Sequence, residues 1–393
     1  MFSERVQESL KRSSWIRAMF EKGSELKAIH GTENVYDFSI GNPEVEPPNE
    51  VIEAYKKLAA DETKGVHRYM PNAGYPSVRK AIADKLSDFY GMTIPSDNIC
   101  MVCGAAAGLN IVFNSILNPG EEVVIFAPYF AEYKFYVGNG GGVPVVVETL
   151  ENFQIDANEF KNAITANTKA VLINSPNNPT GVVYTQETLE KMAAAIKEKE
   201  EELGTNIILI SDEPYNEIIY DIEKLPAVFN IFEKAIVVNS YSKSLALPGE
   251  RIGYIAVSPK LKDVGKLMAA IIFNNRTLGF VNAPAFSQRV VEKAINASVD
   301  PNIYKERRDV LYNHLKKLGF ECQKPDGAFY LFVKSPVENE IEFVNKAQDY
   351  NILLVPGRGF GRAGYVRICF CISMDTIKRS LPAFDKLAAH YFG

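Results

Sequence analysis

The sequence predicts an α/β protein: a three-layer domain on a mostly parallel seven-stranded sheet, with a smaller α+β domain beside it. Three observations lead there. Seven short runs rich in β-branched residues recur through the middle of the chain, they are continuously apolar rather than alternating, and the segments between them carry helical periodicity. Continuous apolar runs mark strands covered on both faces, as in a parallel sheet between helical layers, whereas a sheet with one wet face alternates. At 393 residues the chain exceeds what one hydrophobic core usually serves, which fits a large and a small domain.

The predicted strands are Ile99–Cys103, Val123–Ala127, Val143–Val147, Ala170–Asn174, Ile207–Ser211, Ala235–Asn239 and Ile252–Val257. Thr185–Leu203 illustrates the helices between them, with Leu189, Met192, Ala193 and Ile196 on one face and Lys/Glu on the other. From Asn282 the pattern changes. A long helical stretch runs to Lys317, followed by short elements over Ala328–Val333, Glu340–Asp349, Ile352–Val355, Tyr365–Ile372 and Met374–His390. The expected division is residues 1–48 as an N-terminal segment joining the small domain, 49–285 as the large domain and 286–393 as the small C-terminal domain. No internal repeat and no low-complexity linker interrupts it.

Composition narrows the function classes. The chain is 47% apolar and 23% charged with a net charge of -5, and it carries no basic block, so nucleic acid and anionic membranes are not expected partners. Five cysteines, an odd count, argue against a disulfide framework and for a reducing compartment. Cys100 and Cys103 form a C-x-x-C on a predicted strand, where residues three apart point to opposite faces, so they read as apolar filler rather than metal ligands. Four scattered histidines make no zinc-type cluster. Met1–Gly23 reads as an amphipathic helix with Glu4, Glu8 and Glu21 among its bases, unlike a secretory or transit leader. No stretch is long enough to span a bilayer. A cytoplasmic protein without a metal is the expectation.

Two glycine-rich stretches, Gly138–Gly142 and Gly357–Gly364, precede strands. A dinucleotide fingerprint follows a strand and opens a helix, so both read as turns.

The chemistry gathers at the C-terminal ends of predicted strands, where open α/β sheets bind ligands. After Ile99–Cys103 come Gly104, Ala105 and Ala106 and then a helix; small residues let an anion reach free N–H groups at a helix N-terminus. After Ala170–Asn174 comes Ser-Pro-Asn-Asn178-Pro-Thr-Gly, a rigid turn that presents an amide. After Ile207–Ser211 comes Asp212-Glu-Pro-Tyr215, and an aspartate closing a buried strand needs a positive partner. After Ala235–Asn239 comes Ser240-Tyr-Ser242-Lys243, with Arg251 eight residues beyond the lysine. Desolvation can keep Lys243 partly neutral, as a nucleophilic amine requires. Two serines and an arginine suit a phosphate.

These motifs resemble those of the class I/II aminotransferases of PLP fold type I, the aspartate aminotransferase superfamily. The likeness rests on S-x-S-K-x-x-x-x-x-G-x-R-x-G, N-N-P-T-G and D-E-x-Y, and runs from Asp37 to Ile368. It implies pyridoxal 5′-phosphate (PLP) as cofactor, with Lys243 as its covalent anchor and proton shuttle. By the same resemblance, Asp212 pairs with the pyridine nitrogen, and Tyr215 and Asn178 bond the 3′-oxygen. Phe130 stacks on the ring, with Tyr133 the lesser candidate. Gly104, Ala105, Ala106, Ser240, Ser242 and Arg251 surround the phosphate. Tyr69 reaches the phosphate of a neighbouring subunit, which implies a homodimer with shared active sites. Arg367 clamps the substrate α-carboxylate, with Gly41 and Asn178 alongside. The implied reaction moves the amino group of an L-amino acid to a 2-oxo acid, 2-oxoglutarate being the expected acceptor, in two half-reactions.

The chain departs from the family at two places. Ala106 stands where some bacterial aspartate enzymes have a lysine for the side-chain carboxylate, so the donor need not be a dicarboxylate. Arg276 is offset by one from the position of an arginine donated across the dimer, and reads as a surface residue. Two alternatives share the same cofactor residues: a PLP-dependent carbon–sulfur lyase and a non-catalytic PLP-binding regulator. The regulator would need an N-terminal DNA-binding domain, and only about 35 residues precede the Asp37 motif, too few for one.

Overall fold

A computed structural model describes Ser3, Glu4, Val6, Gln7 and residues 15–393. Most of the N-terminal part of the helix read over Met1–Gly23 therefore lies outside the described residues; a helix is present over Trp15–His30.

All seven predicted strands form, in one sheet. They are β2 (Ile99–Val102), β3 (Glu122–Ala127), β4 (Val143–Glu148), β5 (Thr168–Asn174), β6 (Ile208–Asp212), β7 (Ala235–Ser240) and β8 (Gly253–Val257). A two-residue strand, β1 (Tyr36–Asp37), lies outside the sheet. The sheet order is β2-β8-β7-β6-β5-β3-β4. β4, β3, β5, β6 and β7 are parallel; β8 runs antiparallel to them, and β2, antiparallel to β8, returns to their direction. The chain belongs to the mixed α/β class that its apolar runs predicted.

Successive side chains of a strand face opposite ways, and both faces of this sheet are dry. Val171 and Ile173 of β5 enter one core with Met101, Leu209 and Val237, packed against helices that include Pro76–Tyr90 and Gln186–Leu203. Ala170 and Leu172 enter the opposite core with Ile210, Ile236 and Val238, packed against helices Ala105–Ile116 and Val264–Thr277. Each such valine, leucine or isoleucine contributes about 1.5–3 kcal/mol by leaving water. β4 is the exception to burial on both faces: it has a neighbour on one side only, and Val143 and Val146 remain partly in solvent, at 47% and 38% exposure.

A second core surrounds the antiparallel sheet of β9 (Tyr330–Lys334), β11 (Val355–Pro356) and β12 (Tyr365–Cys369). β10 (Ile352–Leu353) pairs instead with β1. The single element expected over Ile352–Val355 is thus two short strands serving different sheets. The long helix expected from Asn282 to Lys317 is also divided, into Ala285–Lys293 and Pro301–Lys317. The break has a local cause. Pro301 would cost a helix interior a hydrogen bond but fits the first turn, and the Asp300 carboxylate caps that turn by accepting from the Asn302 N–H.

Register prepares the site. Asn174 at the end of β5 lies beside Asp212 at the end of β6, and Ser240 at the end of β7 lies beside Gly253. The strands therefore stop level with one another and open a shared crevice.

Among the described residues no helix is long and apolar enough to cross a membrane.

Candidate active site

A cavity of about 280 Å³ opens at these strand ends. Asp212 closes β6 with its carboxylate buried in it. Oδ2 accepts a 2.6 Å hydrogen bond from the Tyr133 hydroxyl, and among the described residues Oδ1 has no partner. Burial pushes the carboxyl up to about 7, against the lowering effect of the tyrosine bond. An acceptor left bare in an apolar setting costs about 1–3 kcal/mol, so the position asks for a donor, best a cationic N–H.

Lys243 enters the cavity from the short helix Tyr241–Ser244 that follows β7. Nζ donates to the Gly41 carbonyl at 2.6 Å. Burial lowers the lysine pKa, and the nearby Arg367 and Arg251 guanidinium groups lower it further. Loss of the proton leaves a free amine, the form that attacks a carbonyl or takes a proton from carbon. Gly41 is forced to be glycine: a Cβ there would run into the Tyr330 hydroxyl.

Arg367 projects from β12 and is 2% exposed. One nitrogen donates to Asn178 Oδ1 at 3.0 Å and another to the Ser39 carbonyl at 2.6 Å, while Nε has no partner among the described residues. Tyr330 and Phe360 rings flank the guanidinium, each 4.7 Å from it. A buried guanidinium held by neutral acceptors lacks an anion, and a carboxylate matches its fork. Tyr215 shares a 2.7 Å hydroxyl–hydroxyl hydrogen bond with Tyr330, and burial pushes its pKa above the usual phenol range.

The floor suits a phosphate. Ala105 and Ala106 open the helix Ala105–Ile116, whose first N–H groups have no intrahelical partner. The preceding Gly104 has φ +83°, and a Cβ on it would lie 2.7 Å from the Arg251 guanidinium. Arg251 is held by the Pro248 carbonyl at 3.0 Å. The Ser240 and Ser242 hydroxyls bond each other at 2.7 Å. Phe130 lines the wall, edge-on to Tyr133 at 5.5 Å between ring centres. Hydroxyls, guanidinium and helix terminus on one side, a flat aromatic wall and an unmet carboxylate on the other, accept a phosphorylated pyridine: the residues fit PLP.

The cavity thus brings together Gly41, Ala105, Ala106, Phe130, Asn178, Asp212, Tyr215, Ser240, Ser242, Lys243, Arg251 and Arg367, with Gly104 directly beneath. It does not include Tyr69, which is 91% exposed, or Arg276, which is exposed with its guanidinium 5.6 Å from the Phe273 ring. Cys100 is buried in the core and Cys103 Sγ lies 3.7 Å from the Asn282 carbonyl; no metal-binding group occurs among the described residues.

Two participants went unread in the sequence, and a third was read in another role. Tyr330 orients Tyr215. Asn174 ties two strands together, donating to the Asp212 carbonyl at 2.9 Å and accepting from the Asn178 N–H at 2.7 Å. Tyr133 was weighed as a ring-stacking residue, but its hydroxyl holds Asp212. Asn174 had a signal, a polar residue closing an apolar strand; Tyr330 had none, lying far along the chain.

The sequence matches the family model described as aminotransferase class I and II over residues 33–384. It is 35% identical to a probable aspartate aminotransferase of Methanocaldococcus jannaschii, over 93% of this chain and 97% of that one. It is 33% identical to the aspartate/prephenate aminotransferase of Thermus thermophilus, over 98% of each. Among solved structures, an aminotransferase from Eubacterium rectale superposes with TM-score 0.96 at 42% identity, covering 100% of both chains. The Thermus thermophilus aspartate aminotransferase with maleate gives 0.87 at 30%, covering 98% of this chain and 99% of that one.

Proposed function

The chain belongs to the aminotransferase class I and II family, and from that premise we propose how its own residues divide the work. It is a PLP-dependent aminotransferase of the aspartate aminotransferase kind. Bound PLP supplies an electron sink that stabilises negative charge at the substrate Cα.

Lys243 would anchor the cofactor, and its amine would take and return the proton at the substrate Cα. Its lowered pKa supports this, because the neutral amine is the working base. Asp212 holds the pyridine N–H through the unpartnered Oδ1, with Tyr133 fixing its other oxygen. Phe130 covers the ring. Tyr215 and Asn178 bond the ring oxygen. Gly104, Ala105, Ala106, Ser240, Ser242 and Arg251 receive the phosphate. Arg367 clamps the α-carboxylate beside Gly41 and Asn178, orienting the Cα–H bond towards Lys243.

The observation that carries this reading is one buried crevice holding a desolvated lysine, a bare carboxylate oxygen and a guanidinium without an anion. The acceptor is 2-oxoglutarate, and the donor range extends beyond dicarboxylates. Ala106 offers no charge, and Arg276 of this chain stands outside the cavity. The proposed assembly is a cytoplasmic homodimer in which Tyr69 serves the partner's phosphate; its 91% exposure supports a role away from its own pocket. Residues 1–48 and 286–393 form a small domain against the large domain, 49–285.

The test is spectral. Glutamate, aspartate and an apolar amino acid are added separately to the cofactor-loaded enzyme, followed by 2-oxoglutarate. At least one donor should convert the visible band of the bound cofactor to the near-ultraviolet amine form, and the oxo acid should restore it. Pyruvate and ammonia released from cystathionine without an acceptor would identify a lyase instead.

A further inference from the structure

A second cavity, of about 440 Å³, lies on the other side of the sheet ends from the cofactor crevice. Its size falls within the usual range of small-molecule sites, about 300–1,000 Å³. Strand alternation creates the pair. Asn174, Asp212 and Lys243 face the front crevice, while their chain neighbours Ile173 and Ser175, Ser211 and Glu213, and Ser244 line the rear cavity. Phe89, Glu223 and Lys224 are exposed at its mouth.

Most of the lining is apolar, Ile82, Leu86, Leu189, Leu225 and Val228 among it. Into it projects the Glu213 carboxyl. Ser211 donates to Glu213 Oε1 at 2.7 Å, and among the described residues no cation pairs with it. Lys85, an amine in the lining, is committed to Glu217 at 2.7 Å and to the Ile295 carbonyl at 2.9 Å. Glu213 lies deep among protein atoms yet keeps accessible surface, and that surface is cavity wall. Tyr90, Tyr241 and Tyr254 present rings to the same space. A carboxylate sharing an apolar chamber with three tyrosines is the chemistry that recognises an organic cation, through a charge-assisted hydrogen bond and cation–π contact.

We propose that the rear cavity is a binding site for a small organic amine, its ammonium paired with Glu213 and its apolar body filling the chamber towards Phe89. This site takes no part in the amino transfer. Its occupant touches the reverse of the segments that carry Asn174, Asp212 and Lys243. Burial holds the empty-site Glu213 carboxyl up to about 7, with the Asp212 charge adding to the effect, and a bound cation would favour the ionised form.

The probe is N,N-dimethyl-4-phenylbutylamine, a tertiary amine that cannot condense with the cofactor aldehyde. Calorimetric titration into the cofactor-loaded enzyme should give one site per chain. Binding should be at least tenfold tighter than for 4-phenylbutanol, which keeps the body and lacks the cation, and at least tenfold weaker in Glu213→Gln. Saturating succinate, a carboxylate offered to Arg367 in the front crevice, should leave the affinity unchanged. Absence of binding, equal affinity for amine and alcohol, or displacement by succinate overturns the proposal; so does undiminished binding in a folded Glu213→Gln. The amine-to-alcohol comparison on the unaltered protein decides the matter if that variant does not fold.

Discussion

Replacing Asp212 by asparagine in the cofactor-free protein should stabilise it, and increasingly so as the pH rises. Burial lifts the carboxyl from 3.8 to about 7. A folded-state pKa above the unfolded one means that the folded protein holds a proton which the unfolded chain has released. The stabilisation is complete below pH 3.8 and is lost as the pH climbs through 7. Each unit in that window removes about 1.4 kcal/mol. Between pH 5 and pH 8 the loss is roughly 3 kcal/mol as a ceiling, and about half that if water reaches Oδ1. The asparagine keeps an oxygen for the Tyr133 hydroxyl and has no proton to lose. Glu213 remains in both proteins, and its own climb to about 7 is partly due to the Asp212 charge. The comparison therefore isolates Asp212 to first order. Urea denaturation of both cofactor-free proteins at pH 5 and pH 8 reads the effect directly. The stability gap should widen with pH in favour of the variant, whereas cofactor affinity should fall because the pyridine N–H loses its anionic partner. A gap that stays constant with pH, or a variant less stable at pH 8, refutes the reasoning.

Three further outcomes follow from the same geometry. Lys243→Ala should abolish turnover and the visible band of the anchored cofactor while leaving the circular dichroism of the fold intact; retained turnover removes the anchor assignment. Arg367→Lys keeps the charge but cannot make both the Asn178 and Ser39 contacts and still fork a carboxylate. KM for amino acids should rise by about 30- to 1,000-fold, the equivalent of about 2–4 kcal/mol, with little change in the cofactor spectrum; an unchanged KM would falsify the carboxylate clamp. Sedimentation equilibrium should show a dimer, and Tyr69→Phe should weaken cofactor binding by about 10- to 100-fold, the loss of one hydrogen bond to a charged group. A monomeric enzyme, or unaltered affinity in that variant, counts against shared sites.

The strands were legible because their signal is local. Val171, Leu172 and Ile173 are apolar in succession because both sheet faces are dry. Asp212 stands out because it ends such a run, and Asn178 because a rigid Pro- and Gly-bounded turn follows one. β4 misled for the complementary reason: Val143-Pro-Val-Val-Val147 has the composition of an interior strand, but nothing local says that its outer side has no neighbour. The helix from Asn282 to Lys317 was read as continuous because its periodicity survives the gap. The Asp300-Pro301 pair that restarts it is a start signal hidden within an amphipathic run.

The sequence alone determined the layered α/β architecture and the family, and it singled out Lys243 as the candidate anchor, since these depend on residue type, spacing and short-range pattern. Only the tertiary structure decided that Tyr133 holds Asp212 rather than covering a ring, that Tyr330 orients Tyr215, and that Glu213 faces a separate chamber behind the site. These depend on which faces meet after packing. Asp212 and Glu213 are neighbours in the chain, yet strand alternation sends their carboxyls into different cavities, and the surroundings of each cavity are assembled from distant segments.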